Sequence, residues 1–397
     1  MTRTRTRHST LLLRLRVVCL LLLSIAAGFR ILPAQVSLQG SGYVVNLPMY
    51  EQVNATLASL EGTDQNQWLD LTRVRLRPML NLPMGTFVSL EYEVDALYHW
   101  SPLLIPESGG IRSHQVVDLT WDPVNTDRLS VLHFVDRLFI RSVGTWTDIT
   151  LGRQRISWGT GRIWNPTDLF NPLNPTVFSK IEKDGVDAAT VKVFLGEFSD
   201  VTVVANPDNH FKRTNFGFRA RTNVEEFDLS LVGGRFDDRL VIGGDFAGSI
   251  IGAGIRGEGI VSASRHDLHS NFVKFILGAD NQFTPELYAL VEYQFNGQGT
   301  SDRSQYAIQD VLEGKLLNVG RQYLAVSANY LIDPLLTASV ATITSLTDGS
   351  GYVYVLLSYS WTEALTVGVG GEYFHGDAFD EYWYYPDAVF LRGDIFF

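Results

Sequence analysis

The sequence predicts an all-β protein, a single transmembrane, antiparallel, up-and-down β-barrel of about 18 strands, with about 16 as the alternative. Three observations support this prediction. Segments of roughly ten residues alternate between apolar and polar side chains, the period that places successive residues on opposite faces of a strand. Tight turns alternate with longer loops along the chain. The chain also ends in an alternating segment that closes on Phe397.

The first 35 residues have the composition of a secretory signal peptide. Five arginines and no acidic residue lie within residues 1–16, and the apolar run at 17–29 follows. This run is shorter than the roughly 20 apolar residues that a spanning helix needs, and Ala34 offers a small residue for cleavage. A retained N-terminal anchor is the alternative. Cleavage at 1–35 would leave residues 36–397 as a single barrel domain exported to the bacterial outer membrane.

Composition excludes several classes of function. The formal net charge is −11, and removing the six arginines of residues 1–35 leaves the mature chain near −17. Such acidity argues against nucleic-acid binding. Cys19 is the only cysteine, so the mature chain has no thiol for a disulfide or a metal site. We therefore expect no cofactor and no bound metal.

Taken in order, the alternation predicts 18 strands and the connections between them. The strands are predicted at 36–46, 67–80, 86–99, 129–143, 147–158, 185–196, 199–206, 213–224, 226–236, 240–248, 250–263, 271–282, 286–297, 319–332, 335–347, 351–361, 364–375 and 386–397. Tight turns at 145–147, 333–334 and 362–363 alternate with long loops at 100–128, 159–184 and 298–318, which we place outside the cell. We assign 115–121 to a loop, because one more strand would make the number odd.

The hairpin at 68–100 has one charged and one apolar face. Arg73, Arg75 and Arg77 alternate on its first strand, and Glu91, Glu93 and Asp95 alternate on its second. A short turn would pair these strands so that arginines face acids across the ladder. A soluble β-sandwich could contain one such hairpin, but the number of hairpins favours a barrel with these charges in its lumen.

Further arginines occupy predicted lumen positions on other strands. They are Arg137, Arg141, Arg153, Arg155, Arg219 and Arg221, together with Arg256 beside Glu258. In an aqueous channel such charges would shape the field that a solute meets. The alternative is that they only solvate the lumen and stiffen its wall.

The segment from 151 to 185 differs from its surroundings, because Pro166, Pro172 and Pro175 forbid a regular central strand. We predict an ordered loop that folds inward and narrows the lumen. Its candidate constriction residues are Trp158, Arg162, Trp164, Asn165, Asp168 and Phe170. A packed loop that never touches solute is the alternative.

The C-terminal strand carries Val389, Leu391, Ile395 and Phe397 on one face. This pattern resembles the closing strand that the outer-membrane insertion machinery recognises, although Gly393 lies one place away from the commonest position. A buried last strand of a soluble protein is the alternative. The aromatic residues at 382–385 and Trp361 suit interfacial girdles, with ligand stacking by 381–385 as the other interpretation.

Gly152, Arg153, Gln154, Trp158 and Gly159 form a GRQ-x-x-x-WG pattern, and an asparagine- and proline-rich continuation follows. This stretch of about 35 residues resembles porins related to the alginate-export group. The resemblance implies a monomeric conduit with an arginine-bearing lumen. It does not imply alginate as the cargo, because other lumen positions cannot be aligned.

The expected function is passive diffusion of small hydrophilic solutes through a charged lumen, with outer-membrane lipid, lipopolysaccharide and the insertion machinery as partners. Three alternatives stay open: an exporter of an anionic polysaccharide, a plugged surface-assembly barrel, and a barrel hydrolase. No H-E-x-x-H or G-x-S-x-G motif occurs, so we expect no enzyme. A serine beside His99, His133 or His375 is the arrangement that a hydrolase would need.

Overall fold

The computed structural model describes residues 36–100, 114–170, 182–208, 214–312 and 316–397. The predicted signal peptide lies outside the described residues, as do 101–113, 171–181 and 313–315 of the predicted long loops. No helix in the described ranges is both long enough and apolar enough to cross a bilayer.

Antiparallel strands dominate the described chain. They are β1 (Ser37–Gln52), β2 (Asn66–Leu82), β3 (Thr86–His99), β4 (Thr120–Asn125), β5 (Leu129–Val143), β6 (Thr147–Gln154), β7 (Val186–Phe194), β8 (Asp200–Pro207), β9 (Thr214–Val224), β10 (Phe227–Phe236), β11 (Arg239–Ile250), β12 (Ala253–Ser264), β13 (Phe272–Gln282), β14 (Leu287–Asn296), β15 (Gln322–Asp333), β16 (Leu336–Ser345), β17 (Gly351–Ser360), β18 (Leu365–His375) and β19 (Asp387–Phe396). Short helices α1 (Ala55–Glu61) and α2 (Ile308–Leu312), and 3₁₀ turns at Leu268–Ser270, Arg303–Gln305 and Glu381–Tyr384, lie in the connections.

Eighteen of these strands close into a barrel. β3 pairs directly with β5, all other barrel strands pair with their sequence neighbours, and β1 closes the circle against β19 with Tyr43 opposite Phe396. The predicted fold class and strand number are confirmed. The short strand β4 pairs only with β5, so it lies outside the closed circle of 18.

The loop prediction for 115–121 is wrong at its end, because Thr120 and Trp121 belong to β4. Leu119 and β4 lie beside the first half of β5, nearest the long loops. The strand β6 pairs with the second half of β5 and ends at Gln154, so it does not reach this region. Leu119 and β4 fill the part of the wall that the short strand β6 leaves open. The residues of helix α1 were not predicted, because seven residues are too few to show helical periodicity.

The two faces of the wall differ in chemistry. Large apolar side chains point outward all around the barrel and stay exposed, among them Ile149, Val203, Leu231, Ile242, Leu277, Val326, Val355 and Leu391. Buried charged and polar side chains point inward. A continuous exposed apolar belt is unfavourable in water and matches the hydrocarbon layer of a membrane.

The connections also sort by end. Both described chain ends lie at the end with short turns, together with 144–146, 334–335 and 361–364, and the long loops leave from the opposite end. This arrangement is typical of outer-membrane barrels, in which the short turns face the periplasm.

Candidate functional site

After β6 the chain enters the lumen instead of turning back at the rim. Trp158 and Phe170 pack edge-to-face with ring centroids 5.1 Å apart, and Phe170 contacts Phe236 of β10 at the same distance. Ile156 and the inward side chains of β7, β8 and β12 complete this apolar cluster. Trp164 lies further along and packs against Ile276 and Tyr323 on β13 and β15. The segment 155–170, which we call the crossing loop, therefore runs from β6 toward the wall opposite.

Two wall carboxylates hold the backbone of the crossing loop. Glu258 on β12 accepts hydrogen bonds from the N–H groups of Thr160, Gly161 (2.5 Å) and Thr167 (3.2 Å). Glu292 on β14 accepts from the N–H groups of Arg162 (2.9 Å), Ile163 (3.2 Å) and Trp164 (2.8 Å). Charge-assisted hydrogen bonds of this kind satisfy buried backbone donors that no strand partner could reach.

Glycine is required where the loop meets these carboxylates. Gly159 has φ +97, and a Cβ there would lie 2.6 Å from Glu258 Oε1. Gly161 has no room for a Cβ because the Trp164 carbonyl oxygen occupies that space. The two glycines of W-G-T-G thus allow the backbone to approach Glu258 closely.

The end of the long loop returns to its start through Asp168 and Lys183. Their side chains form a buried ion pair, and Lys183 Nζ lies 3.3 Å from Ser157 Oγ. Burial raises the pKa of Asp168 to about 6, although Lys183 opposes the rise. Closing the loop on itself in this way limits its freedom to swing out of the lumen.

The predicted ladder of arginines and acids forms on β2 and β3. Arg73 lies opposite Asp95 and Arg75 opposite Glu93 in the strand register. Arg73 Nη2 is 2.8 Å from Asp95 Oδ2, and Arg75 contacts both Glu91 and Glu93 at 2.7 Å. Each guanidinium is therefore engaged by carboxylates on the same wall.

Two acids that the sequence reasoning did not single out complete this network. Asp136 ion-pairs with Arg75, and Glu182, at the end of the long loop, pairs with Arg77 and with Arg137 at 2.7 Å. The Arg75, Arg137 and Arg77 guanidiniums hold the pKa of Glu182 below its usual range, although its burial acts in the opposite direction.

We call this network the charged wall. Its members are Arg73, Arg75, Arg77, Arg137, Glu91, Glu93, Asp95, Asp136 and Glu182. Four arginines thus face five carboxylates, so the charged wall as a whole carries almost no net charge.

A β-bulge explains why the alternation of apolar and polar residues did not predict that Asp136 faces the lumen. Glu91 pairs with Arg137 and Tyr92 with Val135, which leaves Asp136 as an extra residue on β5. Because a bulge shifts the facing of the strand by one residue, both Asp136 and Arg137 point into the lumen. Glu292 did follow the pattern, since Gln294 and Asn296 alternate with it as buried polar residues of β14.

Other predicted lumen arginines are also paired. Arg141 binds Asp148 at 2.9 Å, Arg221 binds Asp200 at 3.0 Å, and Arg219 lies 2.9 Å from Ser230 Oγ and 3.4 Å from Asp245. Arg256 pairs with Asp280 and donates to the Thr160 carbonyl at 3.1 Å.

The GRQ pattern has a structural use in this barrel. Gly152 has φ +115, and its backbone packs against Leu138 of β5. Arg153 binds Asp187 at 2.8 Å and donates to the carbonyls of Val135 (2.9 Å) and Val117. The Gln154 amide donates to the Ala188 carbonyl at 2.9 Å. Arg153 therefore holds the segment that precedes β4, which contains Val117, against the barrel wall.

The remaining predicted loop residues differ in exposure. Arg155 follows β6 and Arg162 lies between Gly161 and Trp164; both are exposed and form no ion pair with a described residue. The Asn165 carbonyl accepts from the Asp168 N–H at 3.1 Å. On β19, Val389, Leu391 and Ile395 point outward, and Phe397 is exposed next to Gly42.

Among the histidines considered for catalysis, His133 contacts aromatic residues. His133 lies 2.5 Å from the Tyr92 hydroxyl and stacks on Trp121, so its described ring contacts are aromatic. Within the described ranges, no three or more His, Cys, Asp or Glu side chains are placed to hold a metal ion.

Comparison with known proteins gives a fold but no family. No family model matches the sequence, and no curated protein matches it. The solved structure of OccAB1 from Acinetobacter baumannii superposes with a TM-score of 0.57 at 10% identity, covering 91% of this chain and 96% of that one.

Two further structures agree with that result. OccK8 (OprE) from Pseudomonas aeruginosa gives 0.54 at 11% identity, and a BenF-like porin from Pseudomonas fluorescens Pf-5 gives 0.54 at 12%. Each comparison covers 91% of this chain and 98% of the other. The chain therefore shares the barrel fold of these outer-membrane proteins over nearly its whole described length.

Proposed function

We propose that this chain is an outer-membrane, porin-like channel through which small hydrophilic solutes diffuse passively. The observation that carries the proposal is the crossing loop, which Glu258 and Glu292 hold inside a lumen lined by charged side chains. A fixed loop inside a wide polar barrel narrows the path without requiring a moving part. The similar fold of a BenF-like porin supports this function.

Charge preference in this channel should depend on exposed cations more than on the arginine ladder. The ladder arginines are engaged by carboxylates, so their fields largely cancel at a distance. Arg155 and Arg162 are exposed, and no described carboxylate pairs with them. We propose that Arg162, on the crossing loop, presents its charge to the passing solute.

The resemblance to porins of the alginate-export group supports architecture more than cargo. Arg153 and Gln154 of the GRQ pattern bond to the wall, and Gly159 accommodates Glu258. None of these contacts recognises a solute. We therefore propose a related conduit and leave the cargo class at small hydrophilic solutes.

The same proposal includes the route to the membrane and the lipid partners. Residues 1–35 would be removed on export, and the insertion machinery would read the outward row Val389, Leu391, Ile395 and Phe397. The apolar belt would then contact outer-membrane lipid, with lipopolysaccharide at the end that carries the long loops.

The test is single-channel conductance of residues 36–397 refolded into a planar lipid bilayer. We expect steady steps, and Arg162→Glu should shift ion preference toward cations relative to Arg128→Glu in an exposed outer loop. A barrel that folds and never conducts would contradict the proposal and favour a plugged surface-assembly barrel. Hydrolytic turnover that one serine or histidine substitution abolishes would favour a hydrolase.

A further inference from the structure

The turns at the short-turn end carry an unusual number of exposed apolar side chains. Seven of the eight short turns present at least one, and these residues are Met84, Trp146, Leu195, Phe198, Ile251, Phe283, Leu335 and Trp361. We call this set the apolar crown. Turn tips that face water are normally polar, so eight such residues on one rim point to an apolar surrounding.

Two crown residues occupy backbone conformations that disfavour them. Ile251 has φ +52 and is followed by Gly252 at φ +81, in a two-residue turn between β11 and β12. Both central residues of such a turn need positive φ, which favours Asn-Gly or Asp-Gly. A β-branched residue with positive φ is a genuine outlier. Ile251 is nonetheless fully exposed, so packing within the barrel does not explain it.

Met84 repeats the same combination in a second hairpin. It has φ +60, Gly85 has φ +69, and its side chain is 88% exposed. Left-handed backbone suits Asn or Gly at such a position. Two independent turns therefore place a large apolar side chain where the backbone favours a small polar one, and the gain must come from outside the protein.

Strand length shows where this rim lies in a membrane. β14, β16, β17 and β19 have ten residues each. Ten residues rise about 33 Å along a strand and, tilted by about 40°, cross about 25 Å, the height of the apolar band in such barrels. Strands of this length are just long enough to span the hydrocarbon layer. The short turns that join them therefore lie at the boundary of this layer that faces the periplasm.

The opposite rim and one exceptional turn provide the contrast. The turn between β9 and β10 carries Glu225 and Glu226, and the tight turn between β10 and β11 at the other end carries Asp237 and Asp238. The turn at Glu225 and Glu226 is thus the one interruption of the crown, whereas the acidic turn at the other end is typical of a tight turn that faces water. The crown otherwise continues the outward apolar belt.

We propose that the apolar crown is a lipid-binding rim that inserts into the interfacial layer of the phospholipid leaflet facing the periplasm. Trp146 and Trp361 suit this layer, because an indole is apolar with one polar N–H. Met84, Ile251 and Phe283 add apolar area below the belt. This anchoring depends on the barrel lying in a membrane, and it does not depend on an open lumen.

The test measures the depth of single nitroxide labels in vesicles of phosphatidylethanolamine and phosphatidylglycerol. Residues 36–397 contain no cysteine, so each new cysteine is the only thiol of the tested chain. We expect labels at Met84→Cys and Ile251→Cys to collide several-fold more with oxygen than with a water-soluble nickel chelate. The matched control is Asp237→Cys in the tight turn at the opposite end, where φ is also positive (+52) and the label should prefer the nickel chelate.

Labels at 84 and 251 that are as accessible to the nickel chelate as the label at 237 would overturn the proposal. If a strained position does not accept the labelled cysteine, Phe283→Cys and Leu335→Cys report on the same rim from unstrained positions. Labels that are immobile only in native outer membranes and water-exposed in pure lipid would assign the crown to a protein partner, against the proposal. Conductance is measured in the same vesicles, so a failure of the channel function is recorded separately.

Discussion

The two walls that hold the long loop do so by different chemistry. On the β2–β3–β5 side, Glu182 at the end of the loop enters a network of guanidiniums and carboxylates. On the β12–β14 side, Glu258 and Glu292 accept backbone N–H groups of the crossing loop and form no ion pair in the described structure. Removing one charge from the first wall takes an ion-pair partner away from several others. Neutralising one acceptor on the second wall only weakens a few hydrogen bonds.

The largest effect is expected from Arg75→Ala, which tests the first wall. Arg75 is 3% exposed and contacts Glu91, Glu93 and Asp136, so its loss leaves the five carboxylates of the charged wall facing only three arginines. Breaking a buried ionic network costs about 3–5 kcal/mol. Urea unfolding of the barrel in vesicles measures this loss. Arg155→Ala, an exposed arginine, should change stability by less than about 0.5 kcal/mol. A loss below about 1 kcal/mol for Arg75→Ala would mean that the network is hydrated.

Glu292→Gln tests the second wall and should have an intermediate effect. The amide keeps the shape but loses the charge that strengthens the bonds from Arg162, Ile163 and Trp164. Hydrogen bonds to charged groups contribute about 1.5–3 kcal/mol. We expect open-channel noise to rise and mean conductance to increase as the crossing loop loosens. Glu286→Gln, in an exposed turn, is the matched control and should leave the current unchanged.

The sequence predicts the residues of the charged wall more completely than it predicts the contacts of the long loop. Alternation placed Arg73, Arg75, Glu93 and Asp95 on one face, and the structure pairs them in that register. It could not place Asp136, because the bulge that turns it inward has no alternating signature. Glu182 was missed for a different reason, since a residue outside a strand has no facing that a period can predict.

The crossing loop shows a second limit. Its prolines and aromatic residues predicted an ordered, inward loop, but the groups that hold it are Glu258 and Glu292, roughly 100 or more residues away in sequence. Contacts of a loop backbone with distant side chains depend on the closed barrel, and a single sequence carries no signal for them. The role of Arg153 in holding the segment before β4 belongs to the same class.

Arg153→Lys separates a structural role of the GRQ pattern from a role in selectivity. Lysine cannot reproduce the two contacts to Asp187 together with the bonds to the Val135 and Val117 carbonyls. We expect a loss of about 1–2 kcal/mol and faster proteolysis near Leu119, with unchanged ion preference. Arg155→Lys serves as the control in the same pattern. A shift in ion preference for Arg153→Lys alone would place its charge in the solute path instead.

A change in pH dependence is expected at the point where the loop closes on itself. Burial raises the folded-state pKa of Asp168 from 3.8 to about 6, so the folded protein binds more protons at this residue than the unfolded chain between these values. Stability should therefore fall as pH rises from about 4 to 6, by at most about 1.4 kcal/mol per pH unit from this group. Asp168→Asn should flatten that slope, and unfolding measured from pH 3.5 to 7.5 tests it against Asp377→Asn, an exposed loop acid. Parallel curves for the wild type and Asp168→Asn would show that the Lys183 pair, and not burial, sets the protonation of Asp168.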